Sequence, residues 1–335
     1  MRKLFFLFTL LGFISLTSAQ NSYSVEEEII WASPDGFDLT MDIYTPETGK
    51  SKYPVLVIFH GGGWLINDNS IMDDMSRFMV ENGEYVVCNV NYRLLVDMNN
   101  TVTMNQIVED ALGAVVWVQH NIAEYNGDPD KVAVTGDSAG GHLAEMVVIV
   151  GTSLSDSGFN QVPFGFKPSY LPEGVTASKL MKTGGIEVQA AVISYGAFDI
   201  YASALGGFEQ PSNFFWQMGG AKPRSIFGGK ISADINPEYY KAVSPIHLIP
   251  ISYERKLPPQ FFTVGSEDNL TTPKSIEAYL SILSEADQPA KYWVHQGRPH
   301  AFMDSGSNDY LGISWEKDGV PAAREVLKFL DEVFY

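Results

Sequence analysis

The pentapeptide Gly136-Asp137-Ser138-Ala139-Gly140 is the feature that most constrains how this chain can fold. It directly follows the apolar run at residues 131–135 and directly precedes residues 141–148, which have the composition of a helix. A strand that turns this sharply into a helix puts the central residue in a strained backbone conformation, and the glycines leave room for the turn. We therefore expect the Ser138 hydroxyl to project from the edge of a sheet. The alternative is a plain strand-to-helix turn without chemistry.

Apolar runs of strand length alternate with amphipathic helical runs from residue 53 onward, which predicts an α/β fold with a mostly parallel sheet and helices on both faces. A turn-rich joint at residues 33–36 predicts an antiparallel hairpin before that sheet. The predicted strands are 24–31, 37–44, 54–59, 85–90, 131–135, 188–194, 260–264 and 290–295. The predicted helices are 70–82, 104–125, 139–150, 273–286 and 321–334.

Two segments interrupt the alternation, residues 151–187 and 201–259, and both are rich in Gly, Pro, Ser and aromatic residues. Loops this long inside a compact domain commonly act as lids or binding loops. We expect one domain over residues 20–335 with these two insertions as candidate lid elements.

Residues 1–19 have the pattern of a secretory signal peptide. Arg2 and Lys3 precede the apolar run at residues 4–16, and residues 17–19 offer small side chains for cleavage. A run of about 13 apolar residues is short for a membrane span, so we expect no stable membrane anchor. These features predict export to the periplasm or the extracellular space.

The charge of the chain argues against nucleic acid as a partner. Loss of residues 1–19 would move the formal charge from −18 to about −20. Such a field repels phosphate backbones, and no Lys/Arg cluster offsets it locally.

Cys88 is the only cysteine, so no intramolecular disulfide can form. Its apolar neighbours predict a small buried side chain and not a reactive thiol.

A serine nucleophile needs a base, because its free hydroxyl is protonated at neutral pH. Among six histidines, His300 follows the last predicted strand, and this places it at the carboxyl edge of the sheet with Ser138. Asp268 follows the preceding strand and is the candidate carboxylate that orients the imidazole. The order Ser138, Asp268, His300 is that of α/β-hydrolases. Three other carboxylates are candidates for this role. We interpret Glu267 as pointing elsewhere, Asp199 as a loop cap and Asp304 as a solvated charge.

The run His60-Gly61-Gly62-Gly63-Trp64 ends another predicted strand in three glycines. Their N–H groups can approach a ligand without side-chain obstruction, as the developing oxyanion of acyl transfer requires. We assign Gly61 and Gly62, with the N–H of Ala139, as the oxyanion hole, and Gly63 is the next candidate. A phosphate-binding loop is the alternative, but no Lys-Ser or Lys-Thr follows.

Together, the HGGGW, GDSAGG, Glu267-Asp268-Asn269-Leu270 and His300-Ala301-Phe302 motifs resemble the hormone-sensitive-lipase-like branch of α/β-hydrolase carboxylesterases. The resemblance runs from about residue 53 to residue 335. It implies hydrolysis of short acyl esters without a metal or an organic cofactor. Ser138 would be acylated, and His300 would serve first as base and then as acid.

The substrate is less constrained than the chemistry. Only about 35 mature residues precede the first parallel strand, so a large N-terminal cap is not expected, and the insertions resemble those of small secreted feruloyl and acetyl esterases. Candidate substrate-binding residues are Trp64, Phe214, Phe215 and Trp216; the alternative is that the aromatic residues pack the second insertion onto the body. Competing functions are a feruloyl or acetyl esterase for plant polysaccharide esters, a peptidase, and a non-catalytic binding module on a hydrolase scaffold.

Overall fold

The computed structural model describes residues 20–335. The predicted signal peptide lies outside the described residues. Within them, an eight-stranded sheet has the order β1-β2-β4-β3-β5-β6-β7-β8, and a two-stranded ribbon pairs β9 with β10. The strands are β1 (Tyr23–Ala32), β2 (Leu39–Pro46), β3 (Tyr53–Phe59), β4 (Val86–Val90), β5 (Gly127–Asp137), β6 (Ala190–Ser194), β7 (Gln260–Gly265), β8 (Ala290–His295), β9 (Ser307–Asn308) and β10 (Ile313–Ser314).

The helical segments fall into long helices between strands and short ones inside the insertions. The long helices are α1 (Asp73–Asn82), α3 (Met104–Asn121), α4 (Ala139–Val150), α9 (Pro273–Glu285) and α10 (Val320–Phe334). The short segments are α2 (Asp97–Asn100), α5 (Ala177–Lys182), α6 (Ile200–Leu205), α7 (Phe214–Met218) and α8 (Pro237–Lys241).

Sheet topology confirms the predicted α/β fold. Strands β1 and β2 form the predicted antiparallel hairpin, β2 joins β4 antiparallel, and every pair from β4 to β8 is parallel. The chain moves from β3 outward to β4 and then back past β3 to β5. Because such crossovers are right-handed, the helices α1 and α3 lie on opposite faces of the sheet.

Element ends differ from the sequence prediction by a few residues, for local reasons. The helix predicted from residue 70 begins at Asp73, after a 3-10 turn (Asn69–Met72) that the Asp68 side chain caps by accepting the Ser70 N–H. The helix predicted to residue 125 ends at Asn121 and continues as a 3-10 turn that stops at Asn126, whose backbone is left-handed (φ 59°). Strands β9 and β10 were not predicted.

The core is centred on the middle strands and on the helix that follows Ser138. Every residue of β3, β4 and α4 is buried. Cys88 lies in β4 with no exposed surface, and burial raises its pKa, so the prediction of a buried side chain is confirmed. Among residues 20–335, no helix combines the length and the apolar character needed to span a membrane.

Candidate active site

Ser138 stands between β5 and α4 in a backbone conformation that few non-glycine residues adopt (φ 51°, ψ −114°). Its N–H donates to the carbonyl oxygen of Ser194 at 2.9 Å, which ties the turn to β6. A Cβ atom on Gly136 would collide with the backbone of Gly140, and one on Gly140 would overlap the carbonyl oxygen of Phe59. Both glycines are therefore required for the turn, as the sequence pattern indicates.

Three residues predicted as a catalytic triad lie within hydrogen-bond distance of one another. The Nε2 atom of His300 is 2.9 Å from the Oγ atom of Ser138, and its Nδ1 atom is 2.7 Å from the Oδ2 atom of Asp268. The three residues follow β5, β7 and β8, whose carboxyl ends share one edge of the sheet. Asp268 is 4% exposed and Ser138 is 8% exposed, so the chain of hydrogen bonds is largely shielded from water.

Thr271 holds the carboxylate and was not identified from the sequence. The Oδ1 atom of Asp268 accepts the N–H groups of Leu270 and Thr271, each at 2.9 Å, and its Oδ2 atom accepts the Thr271 hydroxyl at 3.1 Å. The same hydroxyl lies 3.2 Å from Nδ1 of His300. An Asp followed three residues later by Thr is a local turn pattern that could have pointed to Thr271.

The other candidate carboxylates have other surroundings. Glu267 is exposed. Asp199 accepts the N–H of Ala202 at 2.8 Å and begins α6, which confirms its interpretation as a cap. The expectation that Asp304 is a solvated charge is wrong, because it is half-buried and burial raises its pKa, with a further contribution from Asp137.

Two competing histidines have structural partners. Burial lowers the pKa of His60 to about 4, and its ring stacks on Tyr92 with centroids 4.3 Å apart. Burial also lowers the pKa of His142 to about 4; its Nδ1 atom accepts the Trp64 indole N–H at 3.2 Å, and its Nε2 atom donates to the carbonyl oxygen of Val243 at 2.8 Å. Both rings are thus held neutral at physiological pH.

The glycine loop departs from the expected assignment at Gly61. A Cβ atom there would overlap the Asp137 carboxylate, and a backbone hydrogen bond from Gly61 lowers the pKa of Asp137. The Asp137 carboxylate therefore lies against the backbone of Gly61. Gly62 and Gly63 have φ values of 119° and 61°, which only glycine adopts readily, and the Gly62 carbonyl oxygen accepts the N–H groups of residues 65 and 66. We accordingly replace Gly61 by Gly63 as an oxyanion candidate.

The four aromatic residues predicted to bind substrate separate into two pairs. Trp216 has no exposed surface and donates to the carbonyl oxygen of Phe208 at 2.9 Å, and Trp64 is 4% exposed and bonded to His142. Both tryptophans are packing residues, so the expectation that they contact substrate is corrected. Phe215 lies against Gly63, whose Cβ atom would be 2.9 Å from its ring, and Phe214 is 49% exposed with its ring 4.1 Å from that of Phe215.

The two insertions contact each other and the body beside the glycine loop. In the second insertion, Arg224 donates to the carbonyl oxygens of Leu95 and Val102 at 2.8 and 2.6 Å. In the first, the ring of Phe159 stacks on that of Phe227 from the second, with centroids 5.7 Å apart. These contacts join the two insertions to each other and hold the second insertion on the segment between β4 and α3. Their predicted role as a lid stays a prediction.

Comparison with known proteins assigns this chain to a family. A model of the BD-FAE family matches residues 41–280. The chain is 33% identical to the carboxylesterase NlhH of Mycobacterium tuberculosis over 110 residues, which cover 33% of each chain. It is 27% identical to the esterase LipQ of the same organism over 319 residues, which cover 91% of this chain and 66% of LipQ.

Solved structures share the fold at low sequence identity. The apo form of Thermogutta terrifontis esterase 2 superposes with a TM-score of 0.64 at 24% identity, and the match covers 92% of this chain and 95% of that one. Its propionate-bound form gives the same TM-score of 0.64 over 92% and 94% of the two chains, also at 24% identity. The fold is therefore that of the α/β-hydrolases, and the chain belongs to the BD-FAE family.

Proposed function

We propose that this protein is an exported serine carboxylesterase that hydrolyses short-chain acyl esters through an acyl-enzyme intermediate. The observation that carries the proposal is the continuous contact from Ser138 Oγ through the His300 ring to Asp268. The names of the relatives NlhH and LipQ, a carboxylesterase and an esterase, support the same class of reaction.

In the acylation step, Nε2 of His300 accepts the proton of the Ser138 hydroxyl while Oγ attacks the ester carbonyl carbon. Asp268 accepts a hydrogen bond from Nδ1–H and stabilises the imidazolium that forms. The negative carbonyl oxygen would lie among the N–H groups of Gly62, Gly63 and Ala139, and one such donor is worth about 3 kcal/mol in related chemistry. His300 then donates its proton to the alkoxide as the C–O bond breaks, and the alcohol leaves.

In the second step, water attacks the acyl-Ser138 carbonyl carbon and His300 accepts a proton from that water. The tetrahedral intermediate collapses, the carboxylic acid leaves, and the proton returns from His300 to Oγ of Ser138. Each residue ends in its starting protonation state. The cycle consumes one ester and one water and yields one acid and one alcohol, without any redox step.

A panel of p-nitrophenyl acetate and butyrate tests the proposal. Ser138→Ala is expected to abolish turnover while the far-UV circular dichroism spectrum and the melting temperature stay unchanged. A fluorophosphonate should add the mass of one covalently bound label to the wild type and no mass to Ser138→Ala. Turnover retained by Ser138→Ala would eliminate this nucleophile, and a wild type that neither turns over esters nor takes up the label would instead favour a non-catalytic binding module. Cleavage of dipeptide amides would favour a peptidase.

Phe214 and Phe215 favour a second candidate function, removal of feruloyl groups from plant polysaccharide. They form an aromatic pair next to Gly63, in which Phe214 is exposed and Phe215 is half-buried, and a planar acyl group could stack there. Rates on methyl ferulate, acetylated xylan and butyrate esters separate the candidates.

Export is tested by fractionating cells that express the full chain, since cleavage after residue 19 would produce a mature protein beginning at Gln20.

A further inference from the structure

Thr271 contacts both oxygens of the Asp268 carboxylate. Its N–H donates to Oδ1 at 2.9 Å, as does the N–H of Leu270, and its hydroxyl lies 3.1 Å from Oδ2. The backbone bonds therefore fix one oxygen, and the hydroxyl contacts the other. Oδ2 is also the oxygen that lies 2.7 Å from Nδ1 of His300, so the hydroxyl acts on the carboxylate oxygen that faces the imidazole.

The Thr271 hydroxyl also lies close to the imidazole itself, because its Oγ1 atom is 3.2 Å from Nδ1 of His300. A hydroxyl has one hydrogen to donate and keeps lone pairs that can accept. A hydrogen bond to an ionised carboxylate is roughly twice as strong as one between neutral groups. The hydrogen therefore points to Oδ2 of Asp268, and a lone pair of Oγ1 is left on the side of Nδ1.

This arrangement favours one tautomer of the imidazole. A neutral imidazole carries its proton on one of its two nitrogens. With Oδ2 of Asp268 and Oγ1 of Thr271 both facing Nδ1 as acceptors, the proton belongs on Nδ1. Nε2 is then free to accept the proton of Ser138 Oγ, which is 2.9 Å away. The other tautomer would set the lone pair of Nδ1 against both oxygens.

The loop between β7 and α9 directs two adjacent threonine hydroxyls to different partners. Thr272 stands before the first residue of α9, and its Oγ1 atom accepts the N–H of Ser275 at 3.2 Å. Thr271 and Thr272 are both half-buried. One hydroxyl therefore serves the carboxylate of Asp268 and the other serves the helix end, so the chain itself offers a matched pair of positions for a test.

We propose that Thr271 is a positioning residue of the triad. Its hydroxyl keeps Oδ2 of Asp268 directed at His300 and holds the imidazole in the tautomer whose Nε2 accepts the serine proton. The proposal rests on the proposed function, because it assigns to His300 the role of base. Thr271 acts through Asp268 and His300, so its contribution belongs to kcat and not to the binding of the ester.

Thr271→Val tests the proposal, because it replaces the hydroxyl by a methyl group of similar size. With p-nitrophenyl butyrate, kcat should fall about tenfold and KM should stay unchanged, since a charge-assisted hydrogen bond that orients the base is lost. Thr271→Ser retains the hydroxyl and should recover most of the lost kcat. Wild-type kcat in Thr271→Val, or a loss in Thr271→Ser as large as that in Thr271→Val, would refute the proposal.

Thr272→Val is the matched control at the neighbouring position. It removes the hydroxyl that caps α9, so the melting temperature should fall, as loss of a cap predicts. Its kcat and KM should keep their wild-type values. An equal fall of kcat in Thr271→Val and Thr272→Val would overturn the proposal, because a general loosening of the loop would then explain both.

A double-mutant cycle with Asp268→Asn separates a role through the carboxylate from a role in stability. In the Asp268→Asn background the carboxylate on which the hydroxyl acts is absent, so adding Thr271→Val should lower kcat by less than about twofold. The tenfold loss expected in the wild-type background should therefore disappear. A loss of equal size in both backgrounds would show that the hydroxyl does not act through Asp268.

NMR of the His300 Nδ1–H at pH 8, in Ser138→Ala protein with 15N-labelled histidine, makes the test independent of turnover. Exchange of this proton with water should be faster after adding Thr271→Val and unchanged after adding Thr271→Ser or Thr272→Val.

The two measurements distinguish failure of this proposal from failure of the proposed function. If the wild type hydrolyses no ester and Thr271→Val still accelerates the exchange, the proposed function fails and the positioning of the imidazole by Thr271 stands. If esters are hydrolysed and Thr271→Val changes neither the exchange nor kcat, the positioning role is refuted. Should Thr271→Val not fold, Thr271→Ala replaces it with the same expected results.

Discussion

The α-carbon of Gly140 lies so close to the carbonyl oxygen of Phe59 that a Cβ atom at position 140 would overlap that oxygen. Gly140 is in the first turn of α4, and Phe59 is the last residue of β3. The contact brings the beginning of the helix that follows Ser138 against the strand that leads into the glycine loop. It therefore fixes the distance between the nucleophile and the N–H groups of that loop.

Gly140→Ala tests this contact. Overpacking at such a site costs about 1–3 kcal/mol and forces the backbone to shift, so we expect a lower melting temperature and at least a tenfold loss of kcat/KM on p-nitrophenyl butyrate. Gly206→Ala is the control, because φ is −74° there and the nearest atom, the carbonyl oxygen of Ala202, is 3.1 Å from the added carbon. Wild-type rates for Gly140→Ala would contradict the prediction.

Asp268→Asn should lower kcat by about 10⁴-fold with little change in KM, because the amide cannot stabilise the imidazolium and favours the wrong tautomer of His300. Steady-state kinetics at pH 8 measure the loss. Glu267→Gln changes the adjacent exposed carboxylate in the same way and should keep wild-type rates. A larger loss of kcat in Glu267→Gln than in Asp268→Asn would show that Glu267, and not Asp268, is the carboxylate that orients His300.

Phe215→Ala should raise KM for aryl esters about fivefold and leave that for acetate esters of small alcohols nearly unchanged. The expectation follows from the position of its ring against Gly63 and from the worth of an aromatic contact, about 1 kcal/mol. Trp216→Phe, on the same short helix but fully buried, should instead lower the melting temperature and keep KM. If Phe215→Ala left every KM unchanged, the ring would serve only to pack the insertion.

Glu145→Gln should make stability less dependent on pH. Burial raises the pKa of Glu145 from 4.5 to about 7 in the folded protein. Between pH 4.5 and about pH 7, the folded state therefore retains a proton that the unfolded state has already lost. The contribution of Glu145 to the free energy of unfolding is greatest below pH 4.5 and is lost as the pH rises to about 7. The full loss is on the order of 3 kcal/mol.

Urea unfolding at pH 5 and pH 8 measures this dependence. The difference in unfolding free energy between the two pH values should shrink in Glu145→Gln. Glu277→Gln, an exposed site on α9, should keep the wild-type difference. An identical pH dependence in Glu145→Gln and the wild type would show that Glu145 is already ionised at pH 5.

Much of the fold could be predicted from the sequence because its signals are local. Alternating apolar runs located the six parallel strands, the 33–36 turn located the hairpin, and the flanking glycines located the strained turn at Ser138. The ends of elements were less accurate, since Asp68 and Asn126 set them through single side-chain or backbone contacts.

The environment of each site residue was decided by tertiary structure. The sequence by itself determined the order of Ser138, Asp268 and His300 along a parallel sheet, and strand connectivity is enough to bring such residues to one edge. It did not determine that Trp64 and Trp216 are buried, that the Asp137 carboxylate lies against the Gly61 backbone, or that Asp304 is half-buried. The contacts of Trp64 with His142 and of Asp137 with Gly61 join chain segments more than 40 residues apart, and no local pattern of residues encodes the distance between two side chains that only packing brings together.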